Sequence, residues 1–175
     1  TRGLRAIREA ARTGPIVVVS AHRSHLDYLV YSWVFHTHGL IAPHIVAGDN
    51  MAFWPMGWFF RRAGAFFIRR SMRGNPLFQT VLRHYVRKLL KDGYWIELFI
   101  EGTRSRSGKT IAPKTGLLAM MVEAIASGAA PDAHIVPASV TYERVIEMAT
   151  YRRETEGAEK TPESVATLAR SAKVL

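Results

Sequence analysis

The sequence predicts an α/β domain, a central, mostly parallel or mixed sheet with helices packed on its faces. Three observations predict it. Ile16-Val17-Val18-Val19 is an unbroken β-branched run, the pattern of a strand buried on both faces. Leu77, Val81, Leu82, Tyr85 and Leu89 form an apolar stripe at helical spacing between Pro76, a good first helical residue, and Gly93, a stop. Strand-like and helix-like segments also alternate along the chain, as they do in layered α/β domains. With 175 residues there is enough chain for one domain and too little for two comfortable ones.

Element by element, Leu4, Ile7 and Ala11 recur at helical spacing and end at Gly14-Pro15, which predicts a short opening helix. The Val run follows as a strand. Ser24 to about His38 reads as a helix, and His44 to Val46 as a short extended piece. The aromatic stretch Phe53 to Phe60 fits either helix or loop, while Ala65 to Ile68 suits a short strand. After the helix that Pro76 opens, Tyr94 to Ile100 is a strand by its aromatic and β-branched content. Glu101 to Lys114 is a polar loop, Thr115 to Ala126 a helix and Ile135 to Thr141 a strand. A charged region, Tyr151 to Lys160, precedes a last helix that Thr161-Pro162 would start well. There is no internal repeat and no low-complexity segment.

Composition narrows the class without naming a partner. Apolar residues make up 48% and charged residues 22%, which fits a globular chain and not a disordered or fibrous one. The absence of cysteine removes disulfides, a thiol nucleophile and Cys-based zinc sites. The formal net charge is +10 and the pI near 10.4, so the chain should attract something anionic. No run approaches the roughly 18 apolar residues of a spanning helix. The longest candidate, Met51 to Phe60, contains Pro55 and Gly57 and stops at Arg61-Arg62. No signal or transit peptide is visible. The chain begins at Thr1 and is expected to be a piece of something longer.

In open α/β sheets chemistry gathers in the loops beyond the carboxyl ends of strands. Two polar segments sit there. In the first, Ala21 to Asp27, His22 closely follows a buried strand and Asp27 comes five residues later. A chain that folds back at the strand exit can set that carboxylate against the imidazole, fixing its tautomer and stabilising the imidazolium that forms when it takes a proton. A His so held can serve as a general base. The same residues admit a plainer role: Ser24 and Asp27 match a capping box ahead of an apolar run, so Asp27 could merely cap a helix. The two roles are compatible. His22, His25, His36, His38 and His44 cluster in sequence, but no third or fourth ligand accompanies either close pair, so no metal site is expected.

The second segment, Phe99 to Lys109, places three cations and three hydroxyls in one strand-exit loop. Arginine's planar fork matches phosphate oxygens two at a time, and glycine permits close backbone approach. Gly108-Lys109-Thr110 imitates the end of a P-loop, but Gly102 leaves five intervening residues where four are needed, so nucleotide binding is rejected. Glu101, a carboxylate leaving a buried strand beside two arginines, argues for an organised loop over a merely solvated one. A third basic element, Gly64 to Arg70 with Arg61, Arg62 and Arg73 nearby, ends a short strand in paired arginines that could reach the same sheet edge. The aromatic stretch, with arginines at its end, is either plain core or a surface for a membrane interface or an apolar channel.

With these elements in hand, the sequence resembles the glycerol-3-phosphate / dihydroxyacetone-phosphate acyltransferase family, and most closely its bacterial membrane-associated glycerol-3-phosphate 1-O-acyltransferase branch. The matching blocks run in the family's order: H-x(4)-D as His22 to Asp27, G-x-x-F-I-R-R as Gly64 to Arg70, F-x-E-G-T-R-S-R as Phe99 to Arg106, and I-V-P as Ile135-Val136-Pro137. The resemblance covers roughly residues 14 to 175, whereas bacterial members carry long segments on both sides of this block. It implies a glycerolipid acyltransferase-like single domain spanning 1–175. The implied reaction is acyl transfer from acyl-CoA or acyl-ACP to the sn-1 hydroxyl of glycerol 3-phosphate, giving lysophosphatidic acid. His22 would be the general base and Asp27 its orienting partner. Arg69, Arg104 and Arg106 would hold the substrate phosphate, Glu101, Gly102 and Ser105 would shape that pocket, and Ile135, Val136 and Pro137 would line the acyl-donor side. No cofactor is expected beyond the acyl donor. The expected location is the cytoplasmic face of the cell membrane, on an anionic surface. Dihydroxyacetone phosphate acylation, or a non-catalytic module for anionic lipid or nucleic acid, are the competing readings. Nucleic acid is disfavoured, because the cations cluster at strand exits beside glycines with no recognisable nucleic-acid motif.

Overall fold

The computed structural model describes residues 2–24, 26–69, 71, 74–105 and 109–142. Among these the chain runs α1 (Arg2–Ala10), β1 (Ile16–Ser20), α2 (Asp27–Thr37), β2 (His44–Gly48), a 3-10 turn (Asp49–Met51), α3 (Met56–Arg62), β3 (Ala65–Ile68), α4 (Pro76–Lys91), β4 (Ile96–Phe99), α5 (Gly116–Ala126) and β5 (His134–Ala138). The strands form one five-stranded sheet in the order β3-β2-β4-β1-β5, and each neighbouring pair is parallel. The α/β expectation holds, and its parallel form is the one adopted.

The β-branched run earns its central place by being apolar on both sides. Val17 of β1 joins Ile96 and Leu98 of β4 in a core covered by α4 and α5, through Leu82, Val86, Leu89, Leu90, Met120 and Met121. Ile16 and Val18 point the other way, into a second core with Tyr31 and Phe35 of α2 and Trp95, against which Leu4 and Ile7 of α1 pack. A two-faced strand of this kind needs helices on both sides, and the crossovers supply them. α4 is held at its start by Asn75, whose side chain accepts from Phe78 N at 3.0 Å.

Three boundaries differ from the sequence expectation. The helix expected from Ser24 begins at Asp27, because the Asp27 carboxylate turns backward to accept from Arg23 N (2.7 Å) and Ser24 N (3.0 Å), holding those residues in a turn outside the helix. No capping box forms at the N-cap residue, Leu26. β4 is shorter than Tyr94 to Ile100: Tyr94 N closes the end of α4 on Leu89 O, and the strand ends at Phe99, with Ile100 N making the last ladder bond to Ser20 O. β5 ends at Ala138 instead of Thr141, and the aromatic stretch resolves into a lead-in followed by α3. The region Tyr151 to Lys160 and the helix expected after Thr161-Pro162 lie outside the described residues.

This topology chooses the site. Because the strands are parallel, their carboxyl ends share one edge. β1 and β4 are adjacent, yet β1 exits to α2 on one face and β4 exits to α5 on the other. Exits that part to opposite faces open a crevice between them, the usual ligand position in such sheets. His22 follows β1 and Glu101 follows β4, so both flank that crevice.

Candidate active site

The geometry begins at Asp27. Its side chain is 1% exposed, and its Oδ2 lies 2.8 Å from His22 Nδ1 while also accepting from the Arg23 and Ser24 amides. The other oxygen, Oδ1, accepts from Tyr142 Oη at 2.7 Å. Burial alone pushes the carboxyl's pKa up. The bonds from His22, Ser24 N, Tyr142 and Arg23 N outweigh that penalty and hold it below its ordinary value. An ionised carboxylate only accepts, so His22 Nδ1 carries the proton of this bond and the lone pair of the neutral ring sits on Nε2. The ring is further fixed by stacking on Phe99 of β4, centroids 4.1 Å apart.

The basic loop is joined to this pair through backbone. Ser105 is buried, and its N donates to His22 O at 2.9 Å, so the two strand-exit segments are one unit. Ser105 Oγ donates to Lys109 O, closing the loop on itself. Gly102 carries a φ of +62°, a left-handed turn that bonds Gly102 N to Phe99 O and brings Lys114 against its α-carbon. Arg104, next to Ser105, is half-buried.

Glu101 is organised, but by a residue that the sequence did not single out. Its side chain is 1% exposed and pairs with the guanidinium of Arg23, from the other segment, at 3.5 Å. Arg23 also donates to Lys109 O and Thr110 Oγ1. Arg23 therefore clamps the β1 exit to the β4 loop. Tyr142 was missed too. Its one signal was a position just past the Ile135-Val136-Pro137 strand, and its partner lies 115 residues away in sequence.

The remaining expected residues spread along the same edge. Arg69 is exposed at the end of β3, its guanidinium 5.5 Å from the Phe78 ring centroid. β3 is the outermost strand, three strand steps from β1, or about 14 Å at ordinary spacing. Arg69 thus shares the edge with His22 without joining the His22–Ser105 unit. Arg106, like Arg70, lies outside the described residues. Ile135 and Pro137 are exposed on β5, whereas Val136 packs on the α2-side core. Pro137 sits beside Val19 on an edge strand, where its missing N–H is tolerated. Of the histidines clustered in sequence, His25 lies outside the described residues, His44 Nδ1 lies 3.0 Å from Gly64 O, and His36 and His38 are exposed at the far end of α2. Among the described residues no three His, Asp or Glu side chains are grouped to hold a metal ion.

A carboxylate-oriented histidine at the switch point of a parallel α/β sheet, bonded through backbone to a basic loop, is an arrangement that can take up a proton beside an anion. The profile of the family described as "Acyltransferase" matches residues 3–141, and the chain belongs to that family. It is 47% identical over 170 residues to the glycerol-3-phosphate acyltransferase of Pasteurella multocida (strain Pm70), covering 97% of this chain and 21% of that protein. It is 48% identical over 159 residues to the glycerol-3-phosphate acyltransferase of Histophilus somni (strain 129Pt), covering 90% and 20%. The chain thus spans about a fifth of the length of these curated relatives. Among solved structures it resembles the 1-acyl-sn-glycerophosphate (LPA) acyltransferase of Thermotoga maritima, with a TM-score of 0.45 and 20% identity over 91% of this chain and 78% of that one.

Proposed function

We propose that this domain transfers a fatty acyl group from acyl-CoA or acyl-ACP to the sn-1 hydroxyl of glycerol 3-phosphate, releasing the thiol and lysophosphatidic acid. The observation that carries the reading is the 2.8 Å bond from His22 Nδ1 to buried Asp27, on a segment bonded through Ser105 N to the basic loop. The names of the two relatives support the substrate.

In the step as drawn, Nε2 of His22 takes the proton of the sn-1 hydroxyl as its oxygen attacks the thioester carbonyl carbon. Asp27 stabilises the imidazolium through Nδ1. The tetrahedral intermediate collapses, the C–S bond breaks, and the imidazolium returns its proton to the leaving thiolate. A thioester is already activated, so the chemistry needs no metal and no further cofactor. Arg104, next to the Ser105 whose N bonds His22 O, is assigned to the phosphate, with Arg69 and Arg106 as further phosphate ligands. Glu101, Gly102 and Ser105 hold the loop in shape. Ile135, Val136 and Pro137 are assigned to the acyl-donor side.

The same reading puts the protein on an anionic membrane surface at the cytoplasmic face. Support comes from Trp54, 85% exposed, together with exposed Trp58 and Phe59 next to Arg61 and Arg62. Arg62 lies over the Trp58 ring at 3.9 Å, a pairing suited to an interface of headgroups and acyl chains. No helix among the described residues is long and apolar enough to cross a membrane.

The test is thiol release from palmitoyl-CoA. Release that requires glycerol 3-phosphate, and that phosphate-free glycerol does not support, is the expected result. Release indifferent to glycerol 3-phosphate, or a salt-dependent complex with duplex DNA in place of any turnover, would overturn it.

A further inference from the structure

Beneath the His22–Asp27 pair lies a second buried carboxyl that the mechanism above does not use. Glu97 of β4 is wholly buried, and its Oε1 accepts from Ser20 Oγ at 3.0 Å. Ser20 ends β1, two residues before His22. Tyr31 is one helical turn beyond Asp27 on the buried face of α2, and its phenol also faces Ser20. Ser20, Tyr31 and Glu97 therefore form one polar cluster under the floor of the site.

Two buried atoms of this cluster, Glu97 Oε2 and Tyr31 Oη, have no hydrogen-bond partner among the described residues. Buried polar atoms are rarely left so, and an ionised carboxylate with one bond would be the costliest occupant of such a place. Among the described residues, the groups facing Glu97 offer it no compensating charge. α2 contributes the titratable Tyr31 and Asp27, β1 contributes the Ser20 hydroxyl, and β2 places Ile45 beside it in the sheet. α1 packs Leu4, Ile7 and Ala10 against the core on this face, with Ala11 just beyond its end.

We propose that Glu97 is a positioning residue, held as the neutral acid by its buried surroundings so that Asp27 is the one negative charge beneath His22. Its ionisation would set two carboxylates against each other across the gap between β4 and α2, and so disturb the Asp27–His22 bond. Burial first, then the facing Asp27 charge, push its pKa up to about 8, with the Ser20 bond opposing. The proposal rests on His22 being the base.

The experiment is the pH profile of kcat/KM for glycerol 3-phosphate in the wild type and in Glu97→Gln, the uncharged isostere of the neutral acid. One ionisation near 8 lowers the wild-type value about tenfold between about pH 7 and about pH 9. In Glu97→Gln that decline is absent and the ratio of the two values is near one. Superimposable profiles overturn the proposal, whereas failure of the base assignment would show separately, as activity surviving His22→Ala. If Glu97→Gln does not fold, Ser20→Ala serves instead. It removes the bond that favours the ionised form, so the alkaline midpoint moves upward, and an unmoved midpoint overturns the proposal. In the unaltered protein, the infrared difference between those two pH values should show loss of a protonated-carboxyl C=O band. Its absence counts against the proposal equally.

Discussion

At the residue scale the site is built around one carboxylate with four donors. Asp27 receives the His22 ring, two amides and the Tyr142 hydroxyl, and each bond favours its charged form. Asp27→Asn keeps the volume but gives Nδ1 a neutral partner and allows the wrong tautomer. It is expected to lower kcat by about 10²- to 10⁴-fold with a smaller effect on KM. Tyr142→Phe leaves Oδ1 with one donor fewer at a buried site, a cost of about 1–3 kcal/mol at neutral pH by denaturant titration. A depressed carboxyl pKa contributes stability above its unfolded value, and that stability is lost as pH falls through the folded one. The deficit of Tyr142→Phe should therefore shrink as pH falls below about 4, and a deficit constant with pH would contradict the role. His22 and Asp27 were legible because their spacing lies within one strand-exit turn. Tyr142 and Arg23 were not, because their pairing depends on which strands become neighbours, and local pattern does not encode strand order.

Elements were legible in proportion to how far local chemistry decides them. β1 declared itself because burial on both faces demands an unbroken apolar run, and α4 because Pro76 and Gly93 punctuate it. Of the stripe expected on α4, however, Leu77, Val81 and Tyr85 are exposed, and the buried face is Leu82, Val86, Leu89 and Leu90. The start of α2 misled, since the residue that resembled a cap spends its carboxylate on the preceding turn and the imidazole. The start of β4 misled in the same way, because Tyr94 N bonds back to the end of α4. At this scale the loop after β4 carries its own prediction. Gly102→Ala forces a side chain into a left-handed turn at a cost of about 1–2 kcal/mol, with its Cβ 2.8 Å from the Lys114 side chain. If that turn sets the phosphate loop, KM for glycerol 3-phosphate rises several-fold while kcat changes less. An unchanged KM would separate the turn from substrate binding.

For the whole molecule, composition announced a surplus of +10 but not its use. The parallel sheet brings the strand exits to one edge, so Arg69, Arg104 and Lys109 belong to that edge while Arg61 and Arg62 adjoin exposed aromatics. These two uses of charge come apart by experiment. Replacing Trp54 and Trp58 with Ser should weaken binding to anionic vesicles with the fold retained, and unchanged binding would remove the membrane assignment. The switch point between β1 and β4 could not be read from sequence, because it arises only once both crossovers have chosen their faces. It is what makes His22 a candidate base instead of one more strand-end histidine. The most direct measurement is therefore glycerol 3-phosphate-dependent thiol release from palmitoyl-CoA by His22→Ala. The account predicts a loss of at least about a hundredfold, with circular dichroism unchanged. Activity within a few-fold of the wild type would contradict it.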